Sequence, residues 1–104
     1  MRFFNFDYKT FQTLFKRFVN GSAMYNEIDY LIMDIKYLTL NNRCEFLYHI
    51  KKDKVYFIFK KKNRKDKFFV KFDKELTIKE ISKISDFLIV IRKQLELINI
   101  YKGN

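Results

Sequence analysis

The chain has 104 residues, a formal net charge of +10 and 19% aromatic residues, with 22 Lys and Arg against 12 Asp and Glu. That length suits a single domain, 1–104, with one core. So large an apolar and aromatic share excludes an intrinsically disordered chain, and the absence of any run near the ~20 apolar residues of a membrane helix predicts no membrane association.

The opening, Met1-Arg2-Phe3-Phe4-Asn5-Phe6-Asp7, is too briefly apolar for a secretory signal, so a cytoplasmic location is expected. Asp7 to Val19 reads as a helix, because Phe11, Leu14, Phe15 and Phe18 recur at three-to-four spacing. Asn20-Gly21 is its stop, since glycine takes the left-handed conformation that ends a helix. Ser22 is the expected cap of a second helix, whose apolar positions are Met24, Ile28, Leu31, Ile32 and Ile35. Residues 32–40 fit either the continuation of that helix or an edge strand turning at Asn41-Asn42.

The period then changes from helical to alternating. Glu45 to Lys51, Lys54 to Lys62 and Lys67 to Asp73 are predicted strands, with turns at Lys52-Asp53 and Asn63 to Asp66. Connections this short require antiparallel neighbours. Thr77-Ile78-Lys79-Glu80 is a capping box that opens a long helix to about Tyr101, with Lys102-Gly103 as its stop. The predicted fold class is therefore α+β: two N-terminal helices, an antiparallel β-meander of three to four strands, and a long C-terminal helix packed on the sheet.

In that last helix Ile81, Ile84, Leu88, Ile91, Leu95 and Ile98 form a heptad seam. Packing on the sheet is the commoner cause of such a seam. Phe87, Ile89, Val90, Leu97 and Ile100 widen the stripe beyond it, so Leu88, Ile91, Leu95 and Ile98 are also candidates for a partner or homodimer interface.

The charge is not spread evenly. Residues 51–74 hold eleven of the 22 bases and only Asp53, Asp66 and Asp73 as acids, which is +8 of the total +10. An AT-rich coding bias enriches Lys, Asn, Ile, Phe and Tyr, but it should enrich Glu too, and seventeen Lys face five Glu. The densest point is the predicted turn from Lys60 to Lys67. Strand alternation sorts the rest: with Val55, Phe57, Phe59, Phe68, Val70 and Phe72 facing a core, Lys54, Tyr56, Ile58, Lys60, Lys62, Lys67, Phe69 and Lys71 face the other way. From the first strand Leu47, His49 and Lys51 join them.

Lysines that neutralise phosphates and aromatic rings that stack on bases are the two requirements for gripping single-stranded nucleic acid. The candidate contact residues are Lys51, Lys52, Lys54, Tyr56, Lys60, Lys61, Lys62, Arg64, Lys65, Lys67, Phe69 and Lys71. Against this, the same outer aromatics could be a second buried face covered by the N-terminal helices. Phe69-Val70-Lys71-Phe72 matches the tail of the RNP1 pattern of RNA-recognition motifs. Asp66 and Phe68 occupy its small positions, and the βαββαβ order is absent, so no membership follows.

Catalysis finds little support. One His, one Cys and two Gly leave no zinc site and no phosphate-cradling loop. Cys44 and His49 would point to opposite faces of one strand, about 17 Å apart. Asp34-Ile35-Lys36 is a D-x-K fragment of the kind found in metal-dependent nucleases, and it needs a second carboxylate such as Asp29 or Glu45. No cofactor and no metal are expected. The expected function is non-enzymatic binding of RNA or a ribonucleoprotein, of the kind by which a phage or mobile element inhibits a host nucleoprotein defence complex, as anti-CRISPR proteins do. A dimeric DNA-binding regulator and an adaptor for an acidic protein surface are the alternatives.

Overall fold

The computed structural model describes residues 6–101, with side chains through Ile98. Two N-terminal helices precede a three-stranded antiparallel sheet, and a long C-terminal helix packs on that sheet. The elements are α1 (Tyr8–Val19), α2 (Tyr25–Asn41), β1 (Glu45–Ile50), β2 (Lys54–Lys61), β3 (Arg64–Lys71) and α3 (Ile78–Tyr101). The expected stop at Lys102-Gly103 lies outside the described residues.

Helix α1 begins where the Asp7 carboxylate accepts from the Thr10 amide at 3.0 Å. It ends at Gly21, whose φ of +85° lets the Ser22 and Gly21 amides reach back to the Arg17 and Phe18 carbonyls. Ser22 does not cap α2. The helix starts later, with Met24 at the cap position, and the Glu27 carboxylate accepts from the Met24 amide at 3.0 Å. Glu27 serves because it also pairs with Arg17 at 3.1 Å, which ties the two helices together across their short connection.

Residues 32–40 are helical throughout, so the edge-strand alternative is excluded. Leu31, Ile35 and Leu38 continue the helical spacing into the core, and the Thr39 hydroxyl donates to the Ile35 carbonyl inside the helix. The stop comes at Arg43, which takes the left-handed conformation (φ 52°) that glycine usually supplies. Its amide and that of Cys44 return to the Leu40 and Thr39 carbonyls.

In the sheet β2 is central, with β1 and β3 on its flanks. Strand β3 begins at Arg64, three residues earlier than the sequence predicts, and the turn shrinks to Lys62-Asn63. The wholly charged segment Arg64-Lys65-Asp66 has little intrinsic strand preference. Antiparallel pairing against Lys61, Lys60 and Phe59 imposes the conformation on it.

The core lies on one side of the sheet. Val55, Phe57, Phe59, Val70 and Phe46 are buried there with Phe11 and Phe15 of α1, Leu31 and Ile35 of α2, and Ile84 and Leu88 of α3. Phe57 is its centre: the rings of Phe11, Phe15 and Phe68 each lie 5.1 Å from it, the first two edge-on. The capping box opens α3 as expected, with Glu80 accepting from the Thr77 amide at 2.8 Å and the Thr77 hydroxyl accepting from the Glu80 amide at 3.1 Å. The heptad seam of α3 packs into this core. Leu88, Ile91 and Leu95 are buried, so those three side chains are taken up by this core and not presented to a partner, while Ile98 is half-buried. Of the residues that widen the stripe, Phe87 packs 4.4 Å from Phe18, whereas Ile89, Val90 and Leu97 stay exposed.

Candidate nucleic-acid interface

Among the described residues, the apolar side chains that the helices supply to the core meet the sheet on one face and leave the other open. Alternation along the strands decides which residues it carries, and the register decides which of them are neighbours. His49 opposes Tyr56, and Tyr56 opposes Phe69. Three aromatic side chains from three strands thus form one row across the sheet, with ring centroids 6.3 Å and 5.5 Å apart. The next row along is Leu47, Ile58 and Lys67, and the one beyond is Glu45, Lys60 and Lys65. On the other side of the aromatic row Lys54 opposes Lys71.

Phe69 is 39% exposed and His49 is exposed, while Tyr56 is half-buried between its neighbours. The sequence-based alternative of a second buried face is therefore overturned: helix α1 packs its phenylalanines on Phe57 and Phe68 and covers none of these rings.

Lysines flank the rings closely. The Lys51 and Lys67 ammonium groups lie 5.7 and 5.3 Å from the centre of the Tyr56 ring, and that of Lys54 lies 5.2 Å from Phe69. These are cation–π distances, so the positive charge is held over the aromatic row and not beyond it. Lys51, Lys54, Lys60, Lys65, Lys67 and Lys71 share this face with one acid, Glu45. A sheet face whose charges are all positive but one raises the local concentration of any polyanion.

Not every predicted contact residue lies here. Lys52 and Lys62 are exposed in the two turns at opposite ends of the sheet. Lys61 and Arg64 close the β2–β3 hairpin on the alternate face, where the Arg64 Nε sits 2.9 Å from the Asp66 carboxylate. Arg64 is thereby neutralised locally, because Asp66 is only 14% exposed and turns toward the core side. The basic turn of the sequence reading is in fact a paired ladder, and its lysines divide between faces. His49 was legible as an outward residue, but its place in the aromatic row needed the register. Tyr8 was not legible at all: its hydroxyl donates to the Phe69 carbonyl at 2.6 Å and pins the edge of the row.

The catalytic fragments do not assemble. Asp34 and Lys36 stand two positions apart on α2, about 200° around the helix, so they do not point at one scissile phosphate. Among the described residues no group of three His, Cys, Asp or Glu side chains could hold a metal ion. Cys44 is buried against the Leu38 and Thr39 carbonyls, and burial pushes its thiol up, away from the reactive thiolate.

Among the described residues Asp34 is the one carboxyl with a raised value. Burial, with the Asp7 carboxylate as a lesser cause, lifts it to about 6, and its Oδ2 has no hydrogen-bond partner. The folded state holds this proton more tightly than the unfolded chain does. Its contribution to stability is complete below the unfolded value near 3.8 and is lost as pH rises through about 6. Asp34→Asn, which cannot ionise, is expected to stabilise the protein by about 1–2 kcal/mol at pH 7.5, a linkage of about 3 discounted for partial solvent exposure. Thermal melts at pH 7.5 and pH 3.5 check this, because the gain should vanish at the lower pH.

Compared with protein-family models, with curated proteins and with solved structures, the chain matches none. No helix among the described residues is long and apolar enough to cross a membrane.

Proposed function

We propose that the protein is a non-enzymatic binder of RNA, or of an RNA–protein complex, that lays a single strand over its open sheet face. The observation that carries this reading is the His49–Tyr56–Phe69 row with lysine ammonium groups held against it. Stacked bases need exposed ring faces, and the phosphates between them need cations within reach. A rigid sheet supplies both at fixed spacing. A duplex hides its base faces, so it gains the charge term only.

On this reading the protein acts by occupancy. A small basic domain that covers a guide or substrate strand blocks the nucleoprotein that uses it, which is how a phage- or mobile-element-encoded inhibitor of a host defence complex would work. A DNA regulator and an adaptor for an acidic protein face would use the same charge without the same dependence on the rings.

Fluorescence anisotropy with single-stranded RNA, single-stranded DNA and duplex DNA over a range of salt tests the reading. With about five phosphates contacted on a single strand, log K should fall against log salt with a slope of about −3.5. A slope near zero would falsify phosphate binding, and equal affinity for the duplex would remove the stacking component.

A further inference from the structure

The sheet has two edges, and they differ in a way that bears on assembly. The close of the β1–β2 hairpin, where the Lys51 amide donates to the Lys54 carbonyl, fixes which backbone groups of β1 point at β2. Antiparallel pairs alternate, so Glu45, Leu47 and His49 bond to β2 while Phe46, Tyr48 and Ile50 point their N–H and C=O outward. By the same count Lys65, Lys67, Phe69 and Lys71 point outward from β3, and the Tyr8 bond to the Phe69 carbonyl agrees with it. The β3 edge is thus guarded by three lysines and a tyrosine tie. The β1 edge, Glu45 to Ile50, carries no Lys or Arg and, among the described residues, no such tie.

We infer that β1 is a self-pairing edge, and that two copies of the chain join there, antiparallel and about a two-fold axis at Tyr48, into one six-stranded sheet. Two constraints set the register. Core-side residues must oppose core-side residues, because a slip of one would turn the polar face inward. The outward amides must also oppose each other to form hydrogen-bonded pairs. Centring on Tyr48 satisfies both: Tyr48 opposes the partner's Tyr48, and Phe46 opposes the partner's Ile50.

The outer face then decides in favour of a second copy over an unrelated strand. In this register Leu47 opposes the partner's His49, and Glu45 opposes the partner's Lys51. Glu45 is the one acid of the outer face, it is exposed, and it has no ion pair among the described residues. The two-fold makes the match twice, as an isologous contact must. The joined sheet also runs both basic faces together into one surface. The inference goes beyond the nucleic-acid reading and is tested without nucleic acid, so either can fail alone.

Sedimentation equilibrium of the full chain, from micromolar to submillimolar protein, should resolve the 12.9 kDa monomer from a species of twice that mass. Glu45→Lys and Lys51→Glu each turn two attractive pairs into repulsive ones and should each weaken the dimer about tenfold. The double variant Glu45→Lys/Lys51→Glu restores the match with signs exchanged and should recover the original association. Net charge alone would move the two single variants in opposite directions, since it rises in one and falls in the other. A monomer at every concentration, a dimer indifferent to both single changes, or a double variant no stronger than the singles would each overturn the inference.

Discussion

Reversing Lys54, Lys67 and Lys71 together to Glu is expected to lower affinity for single-stranded RNA by at least about 100-fold near physiological salt, and to flatten the salt slope from about −3.5 to about −1.4. These three lysines stand on both sides of the aromatic row, two of them with their ammonium groups over the Tyr56 and Phe69 rings. The change therefore removes phosphate contacts and places carboxylates where bases would stack. The same reversal at Lys60, Lys61 and Lys62 is expected to cost less, because that cluster sits at the far end of β2 and divides between the two faces. Tyr56→Ala and Phe69→Ala should each lose about 1–3 kcal/mol of single-strand affinity with little change in salt slope, because stacking releases no counterions. Anisotropy titrations, with circular dichroism to check folding, separate these outcomes. Undiminished binding by the Lys54/Lys67/Lys71 variant would remove the sheet face as the site.

Phe57→Ala is expected to be the most damaging single truncation for stability, at about 3–5 kcal/mol. Phe57 is fully buried on the central strand, and the phenylalanines of α1 and β3 close around it. The void it leaves is walled by aromatic rings that cannot collapse into it without breaking their edge-on contacts. Against a total stability of about 5–15 kcal/mol, that loss takes the protein to the margin of folding. Phe69→Ala, on the opposite face and partly exposed, should cost about 1 kcal/mol or less. Urea unfolding of the two variants side by side measures this contrast. A Phe69→Ala loss as large as that of Phe57→Ala would mean that the outer face is packed and not open.

Much of this organisation was legible in the residues. The alternation in Lys54 to Lys60 assigned Val55, Phe57 and Phe59 to the core and Tyr56 to the other face, because a strand has no freedom to do otherwise. The Phe11–Phe15–Phe18 stripe and the Thr77–Glu80 box are likewise local, and both elements formed where they predict. Local signals failed where two were balanced or where a long-range pairing overrode them. Residues 32–40 fit both periods, and burial of Leu38 and Thr39 in the helical spacing settled the matter. Arg64 to Asp66 looked like a turn until pairing with β2 drew it into the ladder.

The sequence by itself determined the order and type of most secondary elements, the concentration of charge in residues 51–74 and the face of each strand on which a side chain falls. These depend on backbone geometry within a few residues. Only the tertiary structure decided that α1, α2 and α3 share one side of the sheet, that the α3 seam is buried in the core, and that His49, Tyr56 and Phe69 stand in one row. An amphipathic stripe states that a helix must bury a face and is silent on which surface will cover it. Register is set by two hairpins and a shared core acting together. That is why the basic segment became one cationic sheet face only once the fold placed the three helices on the other side.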